Sequence, residues 1–132
     1  MPYLTPIQTR FNDTDGFGHI NNATYATYVE YARLIFLKEI AGLGDNVILA
    51  HLSLDFTKQV KFLDEITVST VVKKLGTSSI TLYQDVIANG EIAAKVNSVV
   101  VHFNYQTQSS EPIPQGVREK LEPFLELAIP NT

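Results

Sequence analysis

Apolar residues crowd one segment near the start of the chain and alternate with polar ones through most of the rest. From Asn22 to Gly42, the residues Tyr25, Ala26, Tyr28, Val29, Tyr31, Ala32, Leu34, Ile35, Phe36, Leu37 and Ile40 leave almost no polar face. Only Glu30, Arg33, Lys38 and Glu39 interrupt them. This predicts one helix, buried on nearly every side. At 1.5 Å per residue it would be about 30 Å long. Asn21 or Asn22 can cap its start, and Gly42 and Gly44 mark its end.

Before the helix, Tyr3 to Phe11 alternates loosely and predicts a first strand, with Pro6 pointing to a sheet edge. After it, period-two patterns predict strands over Val47–Phe56, Glu65–Leu75, Ser79–Ala88 and Glu91–Tyr105. Asn89-Gly90 is a hairpin signal between the last two. Four strands at this spacing read as an antiparallel meander. Pro112 and Pro114 close it, and Gln115–Leu127 reads as a short amphipathic helix that Pro123 kinks or shortens. The order is strand, buried helix, four strands, short helix. A strongly curved sheet wrapped around one long helix satisfies it, in a single α+β domain over residues 1–132.

The stretch Asp13-Thr-Asp15-Gly-Phe17-Gly18-His19-Ile-Asn21-Asn22-Ala-Thr-Tyr25 stands apart from both periods. Core packing has no use for two carboxylates, two glycines, a histidine and two asparagines in thirteen residues. A loop that presents a carboxylate, turns tightly and opens a helix does. Bulk properties narrow the rest. The 132 residues carry a net charge of −4, which argues against a nucleic-acid surface. The absence of cysteine excludes disulfides, thiolate metal sites and a cysteine nucleophile. No charged-then-apolar leader and no stretch of about 18 uncharged apolar residues is present, so the expectation is a soluble cytoplasmic protein with no membrane partner. His19, His51 and His102 show no HxH or HxxxH spacing, so neither a metal nor another cofactor is expected.

The segment from Phe11 to Tyr25, followed by Tyr28-Val-Glu30-Tyr-Ala-Arg33, resembles the signature of hotdog-fold thioesterases, in particular the 4-hydroxybenzoyl-CoA thioesterase-like acyl-CoA thioesterases. The run His19-Ile-Asn21-Asn22 also resembles acyl-ACP thioesterases of plants and bacteria. Phe56 to Val60 and Asp64 to Val68 are similar to the second and third strands of the first group. The resemblance implies a homodimer whose sheets join edge to edge, often paired again into a tetramer, with active sites at the dimer interface. It places the catalytic carboxylate on Asp15. The backbone N–H that polarises the thioester carbonyl falls on Asn22. In the acyl-ACP relatives an asparagine stands two residues before the histidine; here that residue is Phe17.

The residues support that chemistry. A helix N-terminus offers unpaired N–H groups and partial positive charge. A donor aimed at a developing oxyanion is worth about 2.7–4 kcal/mol. Asp15 can attack the carbonyl or act as general base on water. Asp13 is the rival carboxylate, read as a turn or hydrogen-bonding residue. His19 can orient Asp15 or the substrate, or bond a loop carbonyl. Gly18, Phe17 and Tyr25 are the candidate substrate contacts, with Tyr28 and Phe56 as further pocket walls. Glu30 and Arg33 read as an ion pair across one helical turn. Lys58, Lys61, Lys73, Lys74 and Arg10 can meet the phosphates of an acyl-CoA substrate. Three readings compete with acyl-CoA hydrolysis: an acyl-ACP thioesterase, a hydratase or dehydratase of acyl thioesters, and non-catalytic binding of an acyl thioester.

Overall fold

Asn21 opens the long helix. Its side-chain oxygen accepts the Ala23 N–H at 2.9 Å, leaving helix α1 to run Asn22–Ala41. Gly42 ends it at φ 68°, a left-handed conformation that costs glycine little, and the Leu43 N–H returns to the Leu37 carbonyl at 3.0 Å. The computed structural model describes residues 1–126. Strand β1 is Tyr3–Ile7; after α1 come β2 (Val47–Phe56), β3 (Ile66–Leu75), β4 (Ser79–Ala88), β5 (Glu91–Asn104) and the short β6 (Ser109–Ser110), then helix α2 (Gln115–Leu121). A single 3-10 turn, Glu122–Phe124, follows α2. The last predicted helical position, Leu127, lies outside the described residues.

The sheet is antiparallel, with strand order β1-β3-β4-β5-β2 and β6 paired to β5. This corrects the four-strand meander. Only β3, β4 and β5 form one. The chain leaves α1 beside β5, lays down β2 there, and crosses to the far side of β4 before starting β3. Pro6 sits in β1 at the sheet edge, where its missing N–H removes no bond from an interior ladder. The first strand is also shorter than predicted. It stops at Ile7, and Phe11–Asp13 coils into a 3-10 turn, because the Asp13 side chain captures the Arg10 N–H at 2.9 Å.

Helix α1 packs on one face of this sheet, and its contacts divide in two. Tyr25, Tyr28, Val29 and Ala32 pack with Val60, Ile66, Val68, Val86 and Val96. Phe36, Leu37 and Ala41 pack with Val72, Ile80, Leu82, Leu121 and Phe124. Thr70, Gln84 and Ser98, all fully buried, stand on the same face of β3, β4 and β5 between these halves. The Gln84 amide donates to the Val29 carbonyl at 3.2 Å and to the Thr70 hydroxyl at 3.0 Å, fixing the helix along the sheet. The helix is not buried on every side. Tyr31 and Leu34 face outward, 51% and 48% exposed.

Phe36 is fully buried and meets Tyr3 and Phe124 edge-on, with ring centroids 5.6 and 5.2 Å away. Phe36→Ala should cost about 3–5 kcal/mol in denaturant unfolding. A loss below about 1 kcal/mol would show that the second core half tolerates a void.

Candidate active site

The unusual stretch folds as a small hairpin that leads into α1. Thr14 bridges Ile20, and the Asp15 N–H donates to the His19 carbonyl at 2.8 Å. Between those arms the chain turns through Gly16 and Gly18, at φ 89° and 88°. A Cβ at either glycine would meet nothing within 4 Å, so backbone conformation, not space, is what calls for glycine. The outgoing arm is held in turn by the connection from β2 to β3. His19 bridges Lys61, the Ile20 N–H donates to the Val60 carbonyl at 2.7 Å, and the Phe62 N–H donates to the Gly18 carbonyl at 2.9 Å.

Asp15 is exposed at the turn. Its Oδ1 accepts the Phe17 N–H at 2.8 Å; its Oδ2 has no partner among the described residues. Asn22 is the first residue of α1, and its N–H likewise has no partner among the described residues. The hairpin therefore carries a carboxylate with a free oxygen on one arm and leads, at the end of the other, into a free donor at the positive end of a long helix.

Asp13 differs sharply from Asp15. It is buried, and its Oδ2 accepts both the Tyr28 hydroxyl at 2.7 Å and the Arg10 N–H at 2.9 Å. Burial, and then the bond to Asp13, raise the Tyr28 hydroxyl pKa above its ordinary value, so Tyr28 stays a donor. Tyr25 is 2% exposed. Its hydroxyl accepts the Val60 N–H at 3.0 Å and donates to the Lys58 carbonyl at 3.4 Å, while its ring meets Phe56 edge-on at 5.0 Å. Burial also raises its pKa. Two tyrosines three residues apart thus grip different parts of the site. Tyr28 holds the incoming arm, and Tyr25 holds the segment that supports the outgoing arm.

The other predicted residues separate. Phe17 projects into solvent, 86% exposed. The His19 imidazole makes no hydrogen bond among the described residues. His102 is buried, its ring nitrogens 3.3 Å from the Asn46 amide and the Glu111 carbonyl, and His51 is exposed on β2. Among the described residues no group of three or more His, Cys, Asp or Glu converges as a metal site. Arg33 and Glu30 approach to 4.0 Å, but Arg33 is buried and its Nη1 has no partner among the described residues, so burial lowers its pKa. Lys58 is taken up by Glu91 at 2.6 Å. An open groove of about 790 Å³ lies behind the hairpin, lined by Ile7, Gln8, Arg10, Asp13, Tyr28 and Tyr31 among others. Nothing in the sequence pointed to it, because its walls come from two separated segments, residues 6–13 and 27–31.

The thioesterase-like superfamily model matches residues 9–121. The chain belongs to that family. Its fold is that of a predicted thioesterase from Bacillus stearothermophilus, with a TM-score of 0.88 and 32% identity over 96% of this chain and 98% of that one. It is also similar to a thioesterase from Thermus thermophilus complexed with coenzyme A and Zn, with a TM-score of 0.81 and 31% identity over 89% of this chain and 95% of that one. The acyl-acyl carrier protein thioesterase ATL3 of Arabidopsis thaliana is 26% identical over 130 residues, 90% of this chain. The matched part spans 58% of one curated relative and 67% of ATL3. The hotdog architecture and thioesterase kinship expected from the hairpin signature are both present. Among the described residues no helix is long and apolar enough to cross a membrane.

The cap is the local feature that sets the free donor. Asn21→Ala should cost about 1 kcal/mol of unfolding free energy, whereas Asn21→Asp should retain nearly all of it. Chemical denaturation of both variants checks this. Equal losses would show that the side-chain oxygen does not carry the cap.

Proposed function

We propose that the chain hydrolyses an acyl-CoA thioester to the free acid and CoA. What carries the reading is the pairing of an exposed Asp15 carboxylate oxygen with the unpaired Asn22 N–H on one hydrogen-bonded hairpin. The thioester carbonyl oxygen takes the Asn22 N–H, where the helix end favours the negative charge that develops. Asp15 then acts in one of two ways. As nucleophile it adds to the carbonyl carbon, CoA leaves as thiolate, and water cleaves the resulting anhydride. As general base it takes a proton from the attacking water, and the thiolate leaves with no covalent intermediate. His19 assists by orienting the carboxylate or the substrate. Gly18 gives the backbone close approach, and Phe17 and Tyr25 border the acyl group.

The same reading makes the chain a cytoplasmic, 4-hydroxybenzoyl-CoA thioesterase-like enzyme that works as a homodimer or a homotetramer. Strand β2 supports the assembly. It is ten residues long, ends the sheet, and leaves Ile48, Leu49 and Phe56 exposed by 40%, 40% and 48%. Such an edge is a template for another strand, and a second copy of β2 would also cover Phe56, beside Tyr25. A second substrate reading, an acyl group on a carrier protein, draws on the similarity to ATL3.

Free-thiol release from a panel of acyl-CoAs tests the proposal, with native protein and Asp15→Asn in parallel. The native protein should release thiol, and the variant should lose about 100-fold or more in kcat while keeping its fold and oligomeric state. Equal turnover by both would remove Asp15 from the chemistry. No release from any acyl-CoA, with release from acyl carrier protein, would move the substrate to the second reading.

A further inference from the structure

Asp13 accepts four hydrogen bonds, and all of them bind the base of the hairpin to α1 or to the turn before it. Its carboxylate takes the Tyr28 hydroxyl at 2.7 Å and the Arg10 N–H at 2.9 Å. Its carbonyl takes the Asn21 N–H at 2.9 Å and the Thr24 hydroxyl at 3.4 Å. Asp13 lies two residues before Asp15, and Asn21 lies one residue before Asn22. The bond between Asp13 and Asn21 therefore sets how far the carboxylate stands from the free N–H. We propose that Asp13 and Tyr28 form a positioning pair that fixes Asp15 relative to the Asn22 N–H, acting through the hairpin backbone and not on the substrate.

This rests on the reading of Asp15 and Asn22 given above, and it adds two residues that the reading does not need. Helical side chains lean toward the N-terminus, so Tyr28 reaches back over the first turns of α1 toward the hairpin. At about 1.5 Å per residue its anchor lies about 9 Å along the helix from Asn22, well inside the rigid part. Tyr28 is 5% exposed and Asp13 9%, so water competes poorly for their bond. A hydrogen bond to a buried carboxylate is among the stronger ones, and loss of its donor leaves that oxygen short of a partner. Misplacement by about 1 Å is enough to cost about 100-fold in rate at a reacting centre. A small slackening of the hairpin should therefore be visible in turnover.

Tyr28→Phe keeps the ring and deletes the hydroxyl. Assayed well below its unfolding temperature, it should lose about tenfold in kcat with KM within about twofold of native. Amide hydrogen exchange over residues 15–22 should accelerate by about tenfold. Asp13→Asn keeps an oxygen acceptor in place and should stay within about threefold of native on both readouts. Asp13→Ala should match Tyr28→Phe, and the double variant should be no slower than Asp13→Ala alone. Native kcat and native loop exchange in Tyr28→Phe, with only a lower unfolding temperature, would overturn the pair and leave an ordinary stabilising bond. A rise in KM at native kcat would overturn it too, since Tyr28 would then be a contact to ligand in the adjoining groove. If Tyr28→Phe does not fold, Asp13→Ala and Asp13→Asn decide the matter by the same readouts; equal kcat and equal exchange in those two would count against the pair. Asp15→Asn run in parallel keeps the two proposals apart. If it turns over like native, the mechanism falls, and the exchange data alone still decide whether Asp13 and Tyr28 hold the hairpin.

Discussion

One backbone bond, from the Asn21 N–H to the Asp13 carbonyl, joins the two arms of the hairpin at the point where the long helix begins. A free helix N–H is useful to catalysis only if the reacting carboxylate stands at a fixed distance from it, and a glycine-rich turn does not provide that by itself. Here the rigidity comes from outside the turn. Two tyrosines on successive turns of α1 reach the hairpin and its support, and Asn21 serves both as helix cap and as the partner of Asp13. The two glycines are left to set only the curvature of the tip, where Asp15 is presented.

The sheet makes that arrangement affordable. The helix is packed along its length by two apolar clusters, and the polar row of Thr70, Gln84 and Ser98 between them ties it at the Val29 carbonyl. With α1 unable to slide, its first residue becomes a fixed point. The two sheet edges are unlike. β1 is short and carries Pro6, whereas β2 is long and apolar. An edge blocked by proline does not invite another strand, while an unblocked one does.

The local parts of this architecture were legible in the sequence, and the long-range parts were not. The bounds of α1 could be read because Asn21 and Gly42 are residues with strong positional preferences, and those of β4 because turn residues flank clean alternation. Where β2 sits could not be read, since alternation records which face is buried and not which strand is next door. The prediction of a helix buried all round failed because apolar content does not tell an aromatic residue in the core from one such as Tyr31 at the surface. Asp13, read as a turn or hydrogen-bonding residue, is hydrogen-bonded at the base of the hairpin, whereas the role of Asp15 is a proposal. What held Asp13 was hidden, because its partner Tyr28 is 15 residues away and reads as an ordinary apolar helix position.

The pairing of Asp15 with the Asn22 N–H is tested most directly by a crystal structure of the protein with a non-hydrolysable acyl-CoA analogue, a ketone or thioether in place of the thioester. The group standing for the thioester carbonyl should lie within hydrogen-bonding distance of the Asn22 N–H, with the Asp15 carboxylate facing the reacting carbon. An analogue seated with that group in the groove beside Arg10 and Tyr31, away from both, would contradict the pairing.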